Sequence, residues 1–286
     1  MRKLGDFELH AVTDGTFRLD GGAMHGVVPK ILWEKHSPPD DRNRIELALG
    51  CLLVKTPKGK WALIDTGLSD KYDKDPKFMK IYAVDRRRTL LDALSERGLA
   101  PTDISIVVNT HLHFDHCGGN TRWEGDSRPV PAFPKAQYFV QKAEWEDAHR
   151  PHERNQASYL PENFACLDGS GRLELVDGEF EIEKGFKVLR KGGHTRGHQV
   201  VLIEGDEHSA LFLGDLIPTQ AHVPLPWIMG YDLYPVDTLE AKRDLLGLAK
   251  ANGWLLLFQH DPRQREGFLR DVEGRERIIP PEAPIR

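Results

Sequence analysis

The stretch His111-Leu112-His113-Phe114-Asp115-His116-Cys117-Gly118-Gly119 places three imidazoles and one carboxylate within six residues of chain. It comes after the apolar run Ile104-Ser105-Ile106-Val107-Val108, whose β-branched residues are typical of a buried strand that is covered on both faces. If extended backbone continues beyond this strand, alternation directs His111 and His113 to one side. Gly118-Gly119 then allows the chain to fold back tightly. The pattern predicts a metal-binding loop at a strand end rather than a solvated polar turn.

Imidazole and carboxylate ligands together suit zinc, manganese or iron, whereas an all-oxygen cage would suit calcium or magnesium. One loop can serve two neighbouring metals but cannot saturate them, so we expect further ligands where other strands end. Three later apolar runs lead into candidate ligands, in the segments Gly192-Gly193-His194, Gly214-Asp215 and Gln259-His260-Asp261. His198 follows shortly after His194, and its role as a ligand or as a supporting residue stays open.

The order of four motifs along the chain resembles that of the metallo-β-lactamase-fold hydrolase superfamily. The motifs are His-x-His-x-Asp-His, then Gly-His-Thr-x-Gly-His, then Gly-Asp, and then a late His. Leu63-Ile64-Asp65-Thr66-Gly67 matches the early strand and turn of that family, in which the Asp supports the site without binding metal. The resemblance covers the chain from about Ile45 to Asp261. It implies an α/β fold, an αββα sandwich of two mixed β-sheets flanked by helices. We expect one such domain over residues 1–286.

The hydrophobic patterning is compatible with this sandwich. Period-two patterns predict early antiparallel strands over residues 7–16, 48–55 and 61–64. Apolar residues at helical spacing predict helices over residues 89–97, 141–149 and 238–251.

The resemblance also implies how the ligands are shared between two divalent metal ions. The ligand set to the first ion is His111, His113 and His194, and the set to the second ion is Asp115, His116 and His260. Asp215 and a hydroxide bridge both ions, and attack of this hydroxide on a carbonyl would be the chemical step. Asp115 would in addition accept a proton during turnover. Zinc is the expected metal, with manganese, iron or cobalt as alternatives.

Two segments outside the ligand motifs, residues 21–44 and 218–236, are expected to line the substrate pocket. Both contain several proline and aromatic residues, and neither has the pattern of a regular element. Such loops beside metal ligands favour an apolar wall for an uncharged part of the substrate, while a cap over the core or a dimer contact is the alternative. Within the second segment, His222 and Tyr231 are candidate proton donors to a leaving group.

The phrase His-Leu-His-Phe-Asp-His-x-Gly-Gly-Asn and the lengths between the motifs resemble quorum-quenching N-acyl homoserine lactone lactonases and their phosphotriester-splitting relatives. The predicted function is therefore the opening of a lactone or related ester. One position departs from this branch, because many of those lactonases have a tyrosine where this chain has Pro218. A thioesterase, a phosphotriesterase, a mononuclear-iron sulfur oxidoreductase and a non-catalytic ligand sensor remain alternatives.

Composition restricts the partners of the protein. The 286 residues carry a formal net charge of −5, and the pI near 6.2 offers no electrostatic footprint for nucleic acid. The first residues lack the apolar stretch of a signal peptide, and no apolar run is long enough to cross a bilayer. The odd number of cysteines, three, fits a reducing compartment. We expect a cytoplasmic enzyme for a small molecule, without nucleic-acid or membrane partners, and leave a homodimer open.

Overall fold

Two seven-stranded β-sheets form the centre of the protein in the computed structural model, which describes residues 1–125 and 127–281. The strands of the first sheet are β1 (Arg2–Leu4), β2 (Phe7–Asp20), β3 (Arg44–Lys55), β4 (Trp61–Ile64), β5 (Ile104–Val108), β8 (Gln137–Gln141) and β9 (Leu173–Val176), in that spatial order. Between β5 and β8, the strands β6 (Thr121–Glu124) and β7 (Arg128–Pro131) form a separate hairpin.

The second sheet follows the first along the chain. Its strands, again in spatial order, are β10 (Glu179–Glu183), β11 (Phe186–Arg190), β12 (Gln199–Glu204), β13 (Ser209–Phe212), β14 (Leu255–Leu257), β15 (Glu266–Val272) and β16 (Arg275–Ile279). Both sheets are mixed, since β4, β5, β8 and β9 pair in parallel in the first sheet and β13 pairs in parallel with β14 in the second.

Helices lie outside this pair of sheets and between the strands along the chain. The α-helices are α1 (Gly21–His25), α2 (Lys30–Trp33), α3 (Pro76–Tyr82), α4 (Leu90–Ser95), α5 (Phe114–Cys117), α6 (Lys142–His149) and α7 (Pro235–Asn252). Within the described ranges, no helix is long and apolar enough to span a bilayer.

The largest hydrophobic core fills the space between the two sheets. It joins side chains of the first sheet, such as Ile64 and Val108, to side chains of the second, such as Val201 and Phe212. Strand alternation gives each sheet a second apolar face, and helices cover both of these faces. The outer face of the first sheet packs against α4, and the outer face of the second packs against α7. This is the αββα sandwich that the sequence predicts.

The segment 21–44 differs from its prediction. The sequence predicts no regular element there, but the segment begins with α1 and α2. Asp20 starts α1, because its side chain accepts a hydrogen bond from the backbone N–H of Ala23 at 2.8 Å. Gly21 is needed for close packing, since a Cβ atom there would lie 2.5 Å from the indole of Trp33. Short helices of four or five residues carry too little periodicity to be recognised from sequence.

Candidate metal centre and substrate pocket

The seven predicted metal ligands converge at one edge of the sandwich. Their ligand atoms form three groups, in each of which all atoms lie within 4.8 Å of one another: His111, His113 and His194; His111, His116 and Asp215; and Asp115, His116 and His260. Every one of these side chains is buried. β13 and β14 pair in parallel, so the loops that follow them, with Asp215 and His260, lie at the same edge of the second sheet. The loop after β5 of the first sheet meets them at this edge.

Asp215 lies between two sets of histidines and directs one oxygen to each. Its Oδ2 lies 3.3 Å from Nε2 of His194 and 4.0 Å from Nε2 of His111. Its Oδ1 lies 3.0 Å from Nε2 of His260 and 3.5 Å from Nε2 of His116. A carboxylate in this position can bridge two cations. Two of the three groups coincide with the sets that the family resemblance implies, and the third joins one histidine of each set to Asp215.

The turn that carries Asp115 and His116 is held against a neighbouring loop. Both residues lie on α5, and a Cβ atom at Gly118 would lie only 2.3 Å from the carbonyl oxygen of Leu68. A Cβ at Gly119 would lie equally close to the carbonyl oxygen of Thr66. Gly118 has a φ of −54°, which any residue can adopt. The glycine is therefore needed because the two backbones lie so close together, and not because of an unusual turn conformation.

Asp65 orients one of the candidate ligands, as the resemblance implies. Its Oδ2 lies 3.0 Å from Nδ1 of His116, which leaves Nε2 of that ring facing the cluster. The backbone N–H and the hydroxyl of Thr110 donate to the two oxygens of Asp65, each at 2.7 Å. Asp65 adopts a left-handed conformation with φ +54°, a strained state that these hydrogen bonds help to retain. Such support fixes the tautomer and direction of a ligating imidazole.

Two further contacts hold candidate ligands in place and could not be predicted from the sequence. Nδ1 of His194 lies 2.9 Å from Oδ1 of Asp232, and both side chains are buried. Nδ1 of His260 lies 2.7 Å from the carbonyl oxygen of Ala48 on β3. Each contact again leaves Nε2 directed at the cluster. Asp232 is part of no motif and follows an irregular segment, so only the folded chain reveals its role.

Glu144 on α6 is another buried carboxylate that the sequence did not indicate. It accepts hydrogen bonds from the backbone N–H of Leu112 and the hydroxyl of Tyr159, both at 2.9 Å, and from the hydroxyl of Thr195. Burial raises the pKa of its carboxyl group, and the hydrogen bonds oppose this shift. Through these contacts Glu144 joins the loop of His111 and His113 to the loop of His194.

His198 is placed beside the cluster and acts there as a hydrogen-bond acceptor. Its Nε2 accepts the backbone N–H of Asp215 at 3.0 Å. Burial, followed by the neighbouring His194, lowers the pKa of His198 to about 3, so the ring is neutral and able to accept. Of the two roles left open for this residue, the contact favours support of a ligand.

The electrostatics of the cluster fit a site for cations. Burial lowers the pKa values of His111 and His113 well below the usual value, which keeps both rings neutral. Burial alone would raise the pKa of Asp215, but the surrounding histidines outweigh it and lower that pKa strongly. Neutral imidazoles and ionised carboxylates are the forms that bind metal. Burial alone would lower the pKa values of His116 and His194, but the charges of Asp215 and other carboxylates outweigh it and raise them, so these two rings would release a proton when a metal binds them.

Two pairs of ring nitrogens support the same conclusion. Nδ1 of His113 lies 3.1 Å from Nε2 of His194, and Nε2 of His116 lies 3.2 Å from Nε2 of His260. Nε2 of His111 is buried and has no hydrogen-bond partner in the described part of the chain. A shared cation would satisfy these converging nitrogens, so the donor set fits metal ions.

A pocket of about 410 Å³ opens onto this cluster. Its metal-side wall consists of His113, Asp115, His194, Asp215 and His260. The remaining wall is largely apolar and is lined by Leu19, Met24, Tyr82, Phe114, Arg154, Asn155, Ala157, Ser158, Met229, Gly230, Tyr231 and Leu233. Of the two predicted pocket segments, 21–44 contributes Met24 to this lining, and 218–236 contributes Met229, Gly230, Tyr231 and Leu233. The sequence did not indicate the contributions of α3 and of residues 154–158.

The structure places His222 elsewhere, which corrects its prediction as a proton donor. Its Nε2 contacts the carbonyl oxygen of Met24 at 2.8 Å, and its Nδ1 contacts the hydroxyl of Thr219 at the same distance. The ring stacks on His25 with centroids 4.7 Å apart and is not among the residues that line the pocket. Burial, followed by His25, lowers its pKa to about 3, so the ring has no acidic proton near neutral pH.

Tyr231 does line the pocket, and the residue is 37% exposed. Burial raises its pKa to about 12, and the negative charges of Asp20 and Asp115 add to this effect. The phenol therefore carries its proton at neutral pH and can donate a hydrogen bond into the pocket.

Two mixed sheets, outer helices and a histidine–aspartate cluster at the strand ends define the metallo-β-lactamase fold. The sequence profile of the Metallo-beta-lactamase superfamily matches residues 51–260, and the chain belongs to that superfamily. A crystal structure of a probable metal-dependent hydrolase from Staphylococcus aureus superposes with a TM-score of 0.89 at 32% identity, covering 98% of this chain and 99% of that one. These findings confirm the predicted fold and family.

The relatives also agree with the predicted branch. An N-acyl homoserine lactonase of a Bacillus species is 29% identical over 180 residues, which cover 59% of this chain and 63% of that protein. An N-acyl homoserine lactonase of Bacillus thuringiensis is 26% identical over 236 residues, which cover 78% of this chain and 84% of that protein. The chain thus spans a little under two thirds of the length of the first relative.

Proposed function

We propose that the chain is a dinuclear metal-dependent hydrolase that opens a lactone or a related ester of the N-acyl homoserine lactone type. The single observation that carries the proposal is the position of Asp215, with its two oxygens facing two different sets of histidines at the base of the pocket. The N-acyl homoserine lactonases among its relatives support the choice of bond.

In this proposal His111, His113 and His194 hold one ion, and Asp115, His116 and His260 hold the other, with Asp215 shared. Zinc suits this mixture of imidazole and carboxylate ligands, and manganese, iron or cobalt would also suit it. When bound, the two ions supply a Lewis acid for the reacting carbonyl and lower the pKa of a water towards 7, so that hydroxide is available at neutral pH.

The residues of the chain have separate tasks in the reaction. Asp115 lies on the pocket wall with Oδ2 3.5 Å from Nε2 of His116, in a position to accept the proton that the nucleophile releases. Tyr231 lies on the remaining wall of the pocket and would donate a hydrogen bond to the carbonyl or to the leaving alkoxide.

Tyr231 also offers an account of Pro218, the position at which many lactonases of the branch that the sequence resembles have a tyrosine. The carbonyl oxygen of Pro218 accepts the backbone N–H of His260 at 2.9 Å, so this position supports a candidate ligand through its backbone. A phenol on the pocket wall supplied by Tyr231 takes over the donor role of the absent side chain.

The apolar part of the wall determines which substrates fit. Leu19, Met24, Met229 and Leu233 offer an uncharged surface that suits an acyl chain. Small-molecule turnover is therefore the proposed role, while the cytoplasmic location and the homodimer stay predictions from the sequence.

The test is proton release during incubation with N-acyl homoserine lactones of short and long chain. We expect metal-loaded protein to open these lactones and chelator-stripped protein to be inactive, with activity restored by added zinc. Absence of proton release from protein that carries two ions per chain would contradict the lactonase proposal. Thioesters, phosphotriesters and aryl esters, assayed in parallel, would then identify the bond that is broken.

A further inference from the structure

Asn155 is a buried polar residue on the pocket wall whose carboxamide oxygen is unpaired among the described residues. The residue is 7% exposed and lines the pocket that opens onto the metal cluster. Its Oδ1 is fully buried and has no hydrogen-bond partner among residues 1–125 and 127–281. The catalytic tasks proposed above make no use of this residue.

Buried amide groups in folded proteins nearly always have hydrogen-bond partners, because an unpaired polar atom away from water is costly. The unpaired oxygen of a carboxamide that lines a pocket is therefore expected to find its partner in the ligand once the carboxamide turns towards it. The terminal torsion of asparagine is soft, so its carboxamide can turn either its carbonyl or its N–H groups towards a ligand.

The segment that carries Asn155 is fixed at both ends relative to the site. On one side, the carbonyl oxygen of Ser158 accepts the backbone N–H of Phe114 at 2.9 Å, directly before the candidate ligand Asp115. On the other side, the guanidinium of Arg154 donates to the carbonyl oxygen of Gly230 at 2.6 Å, directly before Tyr231. Asn155 therefore has a defined position between the loop that carries Asp115 and the part of the wall that carries Tyr231.

The same segment contacts a candidate ligand. Tyr159 packs its ring against His113, with centroids 4.8 Å apart, and donates its hydroxyl proton to Glu144 at 2.9 Å. Binding residues on such a fixed segment can select a substrate without a large loss of conformational freedom.

We infer that Asn155 hydrogen-bonds a secondary amide of the substrate, so that the enzyme prefers lactones or esters that carry an acylamino group beside the reacting carbonyl. The inference rests on the proposed function and names a residue that would recognise the amide of the substrate. A secondary amide offers one N–H and one carbonyl, and a carboxamide can pair with either. The apolar wall then takes the alkyl chain beyond the amide, and the metal cluster takes the reacting carbonyl.

The test compares two lactones that differ only in the amide. One is an N-acyl homoserine lactone, and the other is an α-alkyl-γ-butyrolactone whose chain has the same number of atoms. Asn155→Leu removes the hydrogen-bonding groups at similar side-chain volume. For this variant we expect kcat/KM to fall roughly tenfold or more on the acylamino lactone and to change little on the alkyl lactone.

Gln156→Leu is the matched control, because Gln156 is the exposed neighbour of Asn155 and is not among the residues that line the pocket. It should leave kcat/KM unchanged on both lactones. Thermal unfolding supplies a second readout. Since leucine leaves no unpaired amide behind, the melting temperature of Asn155→Leu should be unchanged or higher.

The outcomes separate this inference from the proposed function. Equal losses of kcat/KM on both lactones, or a lowered melting temperature that accounts for them, would overturn the role of Asn155 while the lactonase activity stands. Unchanged kcat/KM on both lactones would overturn it as well, with a bound water then serving as the partner of the amide. If the wild-type enzyme opened neither lactone, the proposed function would be wrong and the role of Asn155 would fall with it.

Discussion

The metal cluster and the apolar wall are two sides of one pocket, and they are built differently. Each cluster residue lies at the end of a buried strand or in the turn beyond it, and buried groups such as Asp65 and Asp232 hold its imidazoles in place. Apart from Leu19 at the end of β2 and Phe114 on α5, the wall is assembled from α1, α3 and the segments 154–158 and 229–233, which lie outside the two sheets. The difference indicates that the scaffold sets the chemistry and that the peripheral segments set the choice of substrate.

The wall is nevertheless an interlocked unit. The backbone N–H of Gly230 donates to the carbonyl oxygen of Ala23 at 2.8 Å, and a Cβ atom at Gly26 would lie 2.4 Å from the carbonyl oxygen of Ile228. The buried ammonium of Lys242 on α7 donates to the carbonyl oxygens of Pro224 and Trp227. A substitution within the wall should therefore affect substrate preference while the cluster keeps its metal.

The largest effect is expected at the residue shared by the two histidine sets. Asp215→Asn removes the negative charge that both sets face, so we expect loss of metal and a complete loss of hydrolysis, with the circular dichroism spectrum retained. His198→Ala removes only the acceptor of the Asp215 backbone N–H and should be much milder. Metal content by mass spectrometry and lactone turnover measure both variants. Equal and complete loss in the two would mean that the histidine roles are assigned wrongly.

The next largest effect should lie on the wall. Tyr231→Phe removes the proposed donor, and we expect kcat to fall roughly a hundredfold at unchanged metal content. Tyr82→Phe removes the other phenol of the pocket, whose ring packs against Phe114, and it should lower kcat far less. Steady-state kinetics on one lactone compare the two variants. A large loss of kcat in Tyr82→Phe together with full activity in Tyr231→Phe would mean that Tyr82, and not Tyr231, is the donor.

The third prediction concerns the buried carboxylate that holds His194 in the metal cluster. Asp232→Ala leaves Nδ1 of His194 without its carboxylate partner, so metal affinity should fall roughly tenfold to a hundredfold. Competition with a chromogenic chelator measures this affinity. Asp237→Ala, which removes an exposed carboxylate in the first turn of α7, is the control and should bind metal normally. Unchanged affinity in Asp232→Ala would show that this contact does not support a metal ligand.

The smallest effect concerns the apolar wall alone. Met229→Ala shortens a buried side chain of the lining, so KM should rise about threefold to tenfold for a long acyl chain and stay unchanged for a short one. Met79→Ala, on α3 but not in the lining, is the control. An equal rise in KM for both chain lengths would argue against contact between Met229 and the acyl chain.

The sequence predicted much of the fold because its strands are short apolar runs with clear ends. β5 has the bounds expected for the strand before His111, and the helix expected over residues 238–251 is present as α7, three residues longer at its start. The candidate ligands could be found because each belongs to a motif at such a strand end. Local sequence was enough for these features.

The remaining parts of the site depend on contacts between distant segments. Asp232, Glu144 and Asn155 belong to no motif, and the position of each follows from how its segment packs on the folded chain. His222 illustrates the opposite error, because a histidine in a predicted pocket loop proved to stack on His25 within the interior. Sequence patterns identify residue types at strand ends, but they do not fix which way an irregular segment turns its side chains.

The central claim is that two ions share Asp215 and that lactone opening needs both. Titration of metal-free protein with zinc, followed by lactone turnover and by metal analysis after desalting, tests it most directly. The account predicts that two ions bind per chain and that activity reaches its maximum only when the second site fills. Full activity with one ion per chain at saturation would contradict it.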